Sequence, residues 1–174
     1  MISTENINLI HASLLVEECI RKGADTFFLA PGSRCTPLTL AVARHAEARA
    51  IQHFDERGLG FAALGFARAT GRPGVVICTS GTAVSNLTPA VVEAFMSGCP
   101  MLLLTADRPP ELRDCGANQS IPQTDAFKPY AVYTEDLPCA DVSTCPTELL
   151  TTLGTAFHAV GRGPVHLNCP FREP

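Results

Sequence analysis

Apolar residues in this chain fall into two rhythms that take turns. Short, nearly unbroken apolar runs at 26–30, 74–79, 101–106 and 164–169 alternate with longer stretches in which apolar residues recur every three or four positions. The first kind reads as a strand buried on both faces, the second as a helix packed along one stripe. The first helix is expected over 5–22, capped by Ser3 or Thr4, buried through Leu9, Ala12, Val16, Cys19 and Ile20, and stopped by Gly23. A second runs over 37–48, with Pro37 acceptable in its first turn. Later helices are expected over 83–97, stopped by Gly98, and over 146–160.

The stretch 50–70 organises the rest. It reads as a short buried strand (50–54), a charged corner of Asp55, Glu56 and Arg57, and a helix with Leu59, Ala62, Ala63, Phe66 and Ala67 on one face. Gly58, Gly60 and Gly65 each cost that helix roughly 1 kcal/mol relative to Ala, so something is expected to pack close to its backbone. Strand and helix alternate throughout, which predicts one α/β domain over 1–174: a doubly wound parallel sheet with helices on both faces. Residues 170–174 read as the start of a linker. The pattern breaks at 107–125, a polar, proline-punctuated loop of the length that is usually functional or disordered.

In such a sheet the turns after the first four strands share one edge, where ligands bind. They carry Ser33-Arg34, Glu56-Arg57, Ser80-Gly81-Thr82 and Asp107-Arg108. Glu56, a carboxylate where a strand hands over to a helix, is the leading candidate. Arg34, Arg57, Arg108 and Arg113 fall in or beside that edge, and their planar forks suit a small polyanionic substrate. Each alone is also an ordinary solvated charge.

Composition narrows the classes. With 46% hydrophobic and 17% charged residues the chain is globular, and its low charge hints at a partner covering part of its surface. A net charge of −4 excludes a general nucleic-acid binder. No apolar run approaches the roughly 18 residues of a membrane span, and no signal peptide opens the chain, so a cytoplasmic location is expected. Eight cysteines without a Cys-x-x-Cys pair read as free thiols in a reducing compartment, and not as a zinc site.

Three motifs are weighed against plainer roles. Gly58-Leu-Gly-Phe-Ala-Ala63 fits the dinucleotide fingerprint, but no Asp or Glu occurs between Glu56 and Glu93 to hold a ribose, and the glycines lie within the helix. Gly32-Ser33-Arg34-Cys35 lacks the second glycine of a nucleophile elbow, leaving Ser33 as a turn or helix cap. Thr79-Ser80-Gly81-Thr82 at a helix start suits either an anion or simple capping, and both readings stay open.

The stretches Ala30-Pro-Gly-Ser-Arg-Cys-Thr-Pro37, His53-Phe-Asp-Glu-Arg-Gly-Leu59, Thr79-Ser-Gly-Thr-Ala83, Ala106-Asp-Arg-Pro-Pro-Glu-Leu112, Gly116-Ala-Asn-Gln119 and His166-Leu-Asn-Cys-Pro-Phe171 together closely resemble the 2-succinyl-5-enolpyruvyl-6-hydroxy-3-cyclohexene-1-carboxylate synthase family of menaquinone biosynthesis. The likeness runs from about residue 10 to 174 in motif order and is weakest over 128–144. It implies a transferase dependent on thiamine diphosphate and Mg²⁺, which decarboxylates 2-oxoglutarate and adds the succinyl unit to isochorismate. By resemblance this segment is the pyrimidine-binding domain, the first of three in a homodimer or homotetramer. Glu56 would hydrogen-bond N1′ of the aminopyrimidine, since a carboxylic acid in an apolar turn can hold a proton there. Pro31, Thr79, Ser80, Gly81 and Thr82 would approach the cofactor, and Ser33, Arg34, Arg108 and Gln119 would line the substrate side. No Gly-Asp-Gly occurs in the chain. The resemblance therefore leaves the diphosphate and metal to another domain, supplied by a second subunit, and implies that this chain alone is inert. From another class, a stand-alone subunit-interaction or regulatory domain would share the fold without the chemistry.

Overall fold

The computed structural model describes residues 4–173. In chain order the elements are α1 (Thr4–Arg21), β1 (Thr26–Leu29), α2 (Thr36–Arg44), β2 (Arg49–Gln52), α3 (Glu56–Thr70), β3 (Gly74–Cys78), α4 (Thr82–Asn86), α5 (Thr88–Ser97), β4 (Met101–Asp107), a 3₁₀ turn (Pro110–Leu112), β5 (Tyr133–Asp136), α6 (Pro146–Val160) and β6 (Pro164–Pro170). Six strands form one sheet in the order β2-β1-β3-β4-β6-β5, every pair parallel. β1, β3, β4 and β6 are buried at every position, as strands covered on both faces must be. One core, around Leu15, Phe27, Leu38, Leu104 and Phe171, lies beneath α1, α2 and α6; the other, around Leu59, Val76, Leu87 and Phe127, lies beneath α3, α4 and α5. The doubly wound α/β expectation holds.

Several local expectations change. The strand at 50–54 was expected to be buried, but β2 is an edge strand whose residues are exposed or half-exposed, and it stops at Gln52. Phe54 beyond it is 93% exposed. The second helix stops at Arg44 instead of residue 48, because His45 turns extended with φ −89° and ψ 124°. The helix expected over 83–97 is two, α4 and α5, meeting at Leu87. Pro89 sits in the first turn of α5, where its missing N–H costs no helical bond; in a continuous helix it would break the ladder. β5 was not foreseen: Tyr133, Thr134, Glu135 and Asp136 lack an apolar run because an edge strand needs none. The expected cap falls on Ser3 and on the Thr4 side chain, outside the described residues.

On α3 the buried positions are Leu59, Gly60, Ala63, Leu64 and Ala67, so Ala62 leaves the expected face and Leu64 joins it. The close neighbours foreseen for its glycines exist at two of three. A Cβ on Gly58 would lie 2.7 Å from the His53 ring, and one on Gly60 would lie 2.8 Å from the Ala90 Cβ; Gly65 faces open space. At the other end of the chain, Pro170 closes β6 and Phe171 is 1% exposed, so packed structure extends into the segment expected as a linker. Pro174 lies outside the described residues.

Candidate functional site

The strand order reverses at β1: β2 lies on one side of it and β3 on the other. Ligands of open parallel sheets bind in the crevice outside the carboxyl ends of the strands at such a switch point. Here the crevice is bounded by the turn after β1 (Pro31 to Arg34) and the turn after β3 (Thr79 to Gly81). The two turns touch: a Cβ on Gly32 would meet Thr79 Cβ at 2.4 Å, so only glycine lets them approach. β4 ends beside them at Asp107, followed by Arg108.

Glu56 is the first residue of α3 and half-buried. Asp55 caps that helix, its carboxylate accepting from the backbone N–H of Arg57 (2.8 Å) and Gly58 (3.4 Å). With Asp55 doing the capping, Glu56 is free to face outward from the first turn. Its Oε2 accepts from Asn86 Nδ2 at 3.1 Å, and its Oε1 has no hydrogen-bond partner among the described residues. Asn86, the last residue of α4, was not singled out from sequence; nothing in the local pattern marks it. Phe54, two residues before Glu56, is 93% exposed and helps line a cleft of about 310 Å³ with Leu29, Ala30, Pro31 and His53; Glu56 is not part of that lining. A carboxylate with one oxygen held and the other spare can hydrogen-bond a nitrogen at the edge of a flat ring. For a metal the residues fit less well: among the described residues no group of three or more His, Cys, Asp or Glu converges.

A second cluster forms where the long loop folds back on the turn after β3. Gln119 donates from Nε2 to the Ser80 carbonyl (2.9 Å), while the Ser80 hydroxyl donates to the Gln119 carbonyl (3.0 Å) and accepts from Arg108. Gly81 has φ +79° and ψ −136°, and a Cβ there would lie 2.9 Å from Gln119 Cγ. Only glycine permits both the backbone and the contact. Ser80 is fully buried, Arg108 half-buried and Gln119 exposed. Burial first, and then the neighbouring Arg34, pull the Arg108 guanidinium below its ordinary value, so the crevice wall is cationic and partly desolvated.

The structure thus brings Ser80, Gly81, Arg108 and Gln119 together and leaves Glu56 outside that hydrogen-bonded group. Thr79 is buried at the crevice floor; Pro31, Ser33 and Thr82 are exposed on its rim. Arg34, expected as an open cationic hand, is 8% exposed and occupied. It donates to the Phe171 carbonyl (2.9 Å) and to the Glu173 carboxylate (2.6 Å). Arg113 also turns away from the crevice to pair with Asp107 (3.2 Å) and Asp136 (2.6 Å). Arg57 is exposed and lies 3.8 Å from Asp55.

Beneath the cluster lies a buried polar network that sequence reading missed. Asn168 donates to Asp107 Oδ2 (2.9 Å) and Asp136 Oδ1 (2.8 Å), and its Oδ1 accepts from Thr105 (3.3 Å) and Gln123 (2.8 Å). His166 Nε2 meets the Thr105 hydroxyl at 2.7 Å, its ring stands edge-on to Phe127, and its Nδ1 has no partner among the described residues. Burial lowers the His166 pKa to about 4, so the ring is neutral near pH 7.

Comparison with known proteins adds the following. Residues 11–128 match the family described as thiamine pyrophosphate enzyme, N-terminal TPP binding domain. Three similar relatives are each named 2-succinyl-5-enolpyruvyl-6-hydroxy-3-cyclohexene-1-carboxylate synthase. The one from Salinibacter ruber is 52% identical over 100% of this chain. Those from Rubrobacter xylanophilus and Chlorobaculum parvum are 54% and 53% identical over 98% of it. The chain spans about 30% of the length of these curated relatives.

Proposed function

The chain belongs to the thiamine pyrophosphate enzyme family, in its N-terminal TPP binding domain, and from that premise we propose that it is the pyrimidine-binding portion of a longer synthase. The reaction is decarboxylation of 2-oxoglutarate and addition of the succinyl unit to isochorismate, in menaquinone biosynthesis. The names and 52–54% identity of the relatives support this reading. They do not favour a stand-alone regulatory or subunit-interaction domain.

The observation that carries the mechanism is the Glu56 carboxylate, one oxygen held by Asn86 and the other unpaired among the described residues. Thiamine diphosphate, when bound, supplies the electron sink that decarboxylation of a 2-oxo acid requires. Glu56 Oε1 holds a proton at N1′ of the aminopyrimidine, and Asn86 fixes the carboxylate so that this oxygen is the one presented. Phe54, Pro31 and the turn from Thr79 to Thr82 shape the ring's surroundings and exclude water once a second surface closes over them. Arg108, Gln119 and Ser33 receive substrate carboxylates. Arg34, already engaged by Glu173, acts on them through its charge on Arg108. The diphosphate and Mg²⁺ are held by the diphosphate-binding domain of a second subunit in a homodimer or homotetramer, located in the cytoplasm. Among the described residues no helix is long and apolar enough to cross a membrane.

The test is Glu56→Gln in the complete enzyme, assayed with Mg²⁺, cofactor and both substrates. The expected result is loss of most turnover with an unchanged fold. Turnover near that of the unsubstituted enzyme removes Glu56 from the mechanism. Turnover by the 174-residue chain alone would show that this chain is not half of a shared site.

A further inference from the structure

Gln123 stands four residues beyond Gln119 in the long loop, yet it is 1% exposed. Its side chain reaches three neighbouring strand ends. Oε1 accepts from the backbone N–H of Gly81, in the turn after β3, at 3.1 Å. Nε2 donates to the Ala106 carbonyl of β4 at 2.9 Å and to Asn168 Oδ1 of β6 at 2.8 Å. Both amide donors and one acceptor position are filled, so this side chain has no proton to offer a ligand.

Its base is fixed. Asn168 uses both donors on Asp107 and Asp136, and Arg113 clamps those two carboxylates from outside. Gly81 in turn is the hinge of the crevice cluster, because its backbone conformation is open only to glycine and its Cα side presses against Gln119. Gln119 itself sits at φ +58°, a left-handed conformation that a non-glycine residue holds only when its surroundings impose it. Two glutamines four residues apart therefore staple the loop to one turn: the exposed one on the ligand side, the buried one from below.

We propose that Gln123 is a positioning residue for this site. By accepting from the Gly81 N–H it sets the turn on which Ser80, Arg108 and Gln119 assemble. The kinetic consequence rests on the synthase reading above; the structural one does not.

The test uses Gln123→Met, which keeps volume and removes all three bonds. In the complete protein, amide hydrogen exchange at Gly81 is expected to rise at least tenfold while exchange at Val76, in the middle of β3, is unchanged. In the complete enzyme the variant is expected to lose about tenfold to a hundredfold in kcat/KM, by order of magnitude for one buried hydrogen-bonding group. In that background Gln119→Ala should cost little further, since its platform has already moved. Gln123→Asn keeps the amide but is one methylene too short to reach Gly81, and is expected to raise Gly81 exchange as the Met variant does; it decides the matter if the Met variant fails to fold. Lower stability alone, with Gly81 exchange unchanged relative to Val76 and additive effects of Gln119→Ala, overturns the proposal. If the unsubstituted complete protein lacks synthase activity, the functional reading falls, and Gly81 exchange still decides the positioning.

Discussion

Gly32 and Thr79 lie so close that a Cβ on the first would stand 2.4 Å from the Cβ of the second. This contact joins the turns after β1 and β3 and makes the floor of the switch-point crevice. Gly32→Ala is expected to cost roughly 1–3 kcal/mol, the usual range for overpacking a close-packed site. Thr79→Gly in the same chain should reduce that cost, and a urea-unfolding double-mutant cycle measures the coupling. Additive effects would mean that the two turns separate freely and that the crevice floor is not built by this contact.

Arg34 is expected to behave as a structural clamp in this chain. Its guanidinium is buried against the Phe171 carbonyl and the Glu173 carboxylate. Arg34→Met leaves that carbonyl without its donor and is expected to lower stability by about 1–3 kcal/mol. Ser33→Ala, on the exposed rim next door, should fall within about 0.5 kcal/mol of no change. Equal stabilities for the two variants, read by urea midpoint, would return Arg34 to the role of an open substrate cation.

Much of this was legible in the sequence, for definite reasons. Strands with neighbours on both sides, such as β3 and β4, must be apolar throughout, so they announce themselves. Edge strands carry no such requirement, and β2 and β5 were misjudged or missed for that reason. Glu56 stood out because a carboxylate at a strand-to-helix turn is conspicuous. Asn86, Gln123 and Asn168 did not, because their significance lies in partners 17 to 63 residues away, which no local spacing reveals. Arg34 was identified as important by its type, its place at the ligand edge and the resemblance; its partner, the segment at 171–173, sits 137 residues further along.

The buried His166 should make folding sensitive to acid. Its pKa in the folded chain is lowered to about 4 by burial, below the model-peptide value of 6.5 to which it returns on unfolding. The unfolded chain therefore binds the proton more readily. Stability from this group is fully present above about pH 6.5 and is lost as pH falls from there to about 4, a loss of roughly 3 kcal/mol by order of magnitude. His11, lowered to about 4 by the same cause, adds a loss of the same sign in the same window. Urea midpoints between pH 7 and 4 should fall accordingly, and His166→Gln should flatten the slope by about one proton. An unchanged slope would place the acid sensitivity elsewhere.

The helix α3 offers opposed outcomes for one chemical change. At Gly60 an added methyl would meet Ala90 Cβ at 2.8 Å and Leu87 Cδ2 at 3.3 Å, where α5 crosses close to the backbone. Gly60→Ala must push α5 away from α3 and is expected to destabilise by roughly 1–3 kcal/mol. At Gly65 the added methyl meets nothing within 4 Å among the described residues, and the residue is exposed. There the substitution only restricts the unfolded chain and improves helix propensity, so Gly65→Ala is expected to stabilise by about 0.5–1 kcal/mol. The same atom added five positions apart should thus move the urea midpoint in opposite directions. If both variants were stabilised, α3 and α5 would not be in the tight contact described, and the glycine at 60 would have no packing role. If both were destabilised, a surface that covers Gly65 in solution would have to be sought.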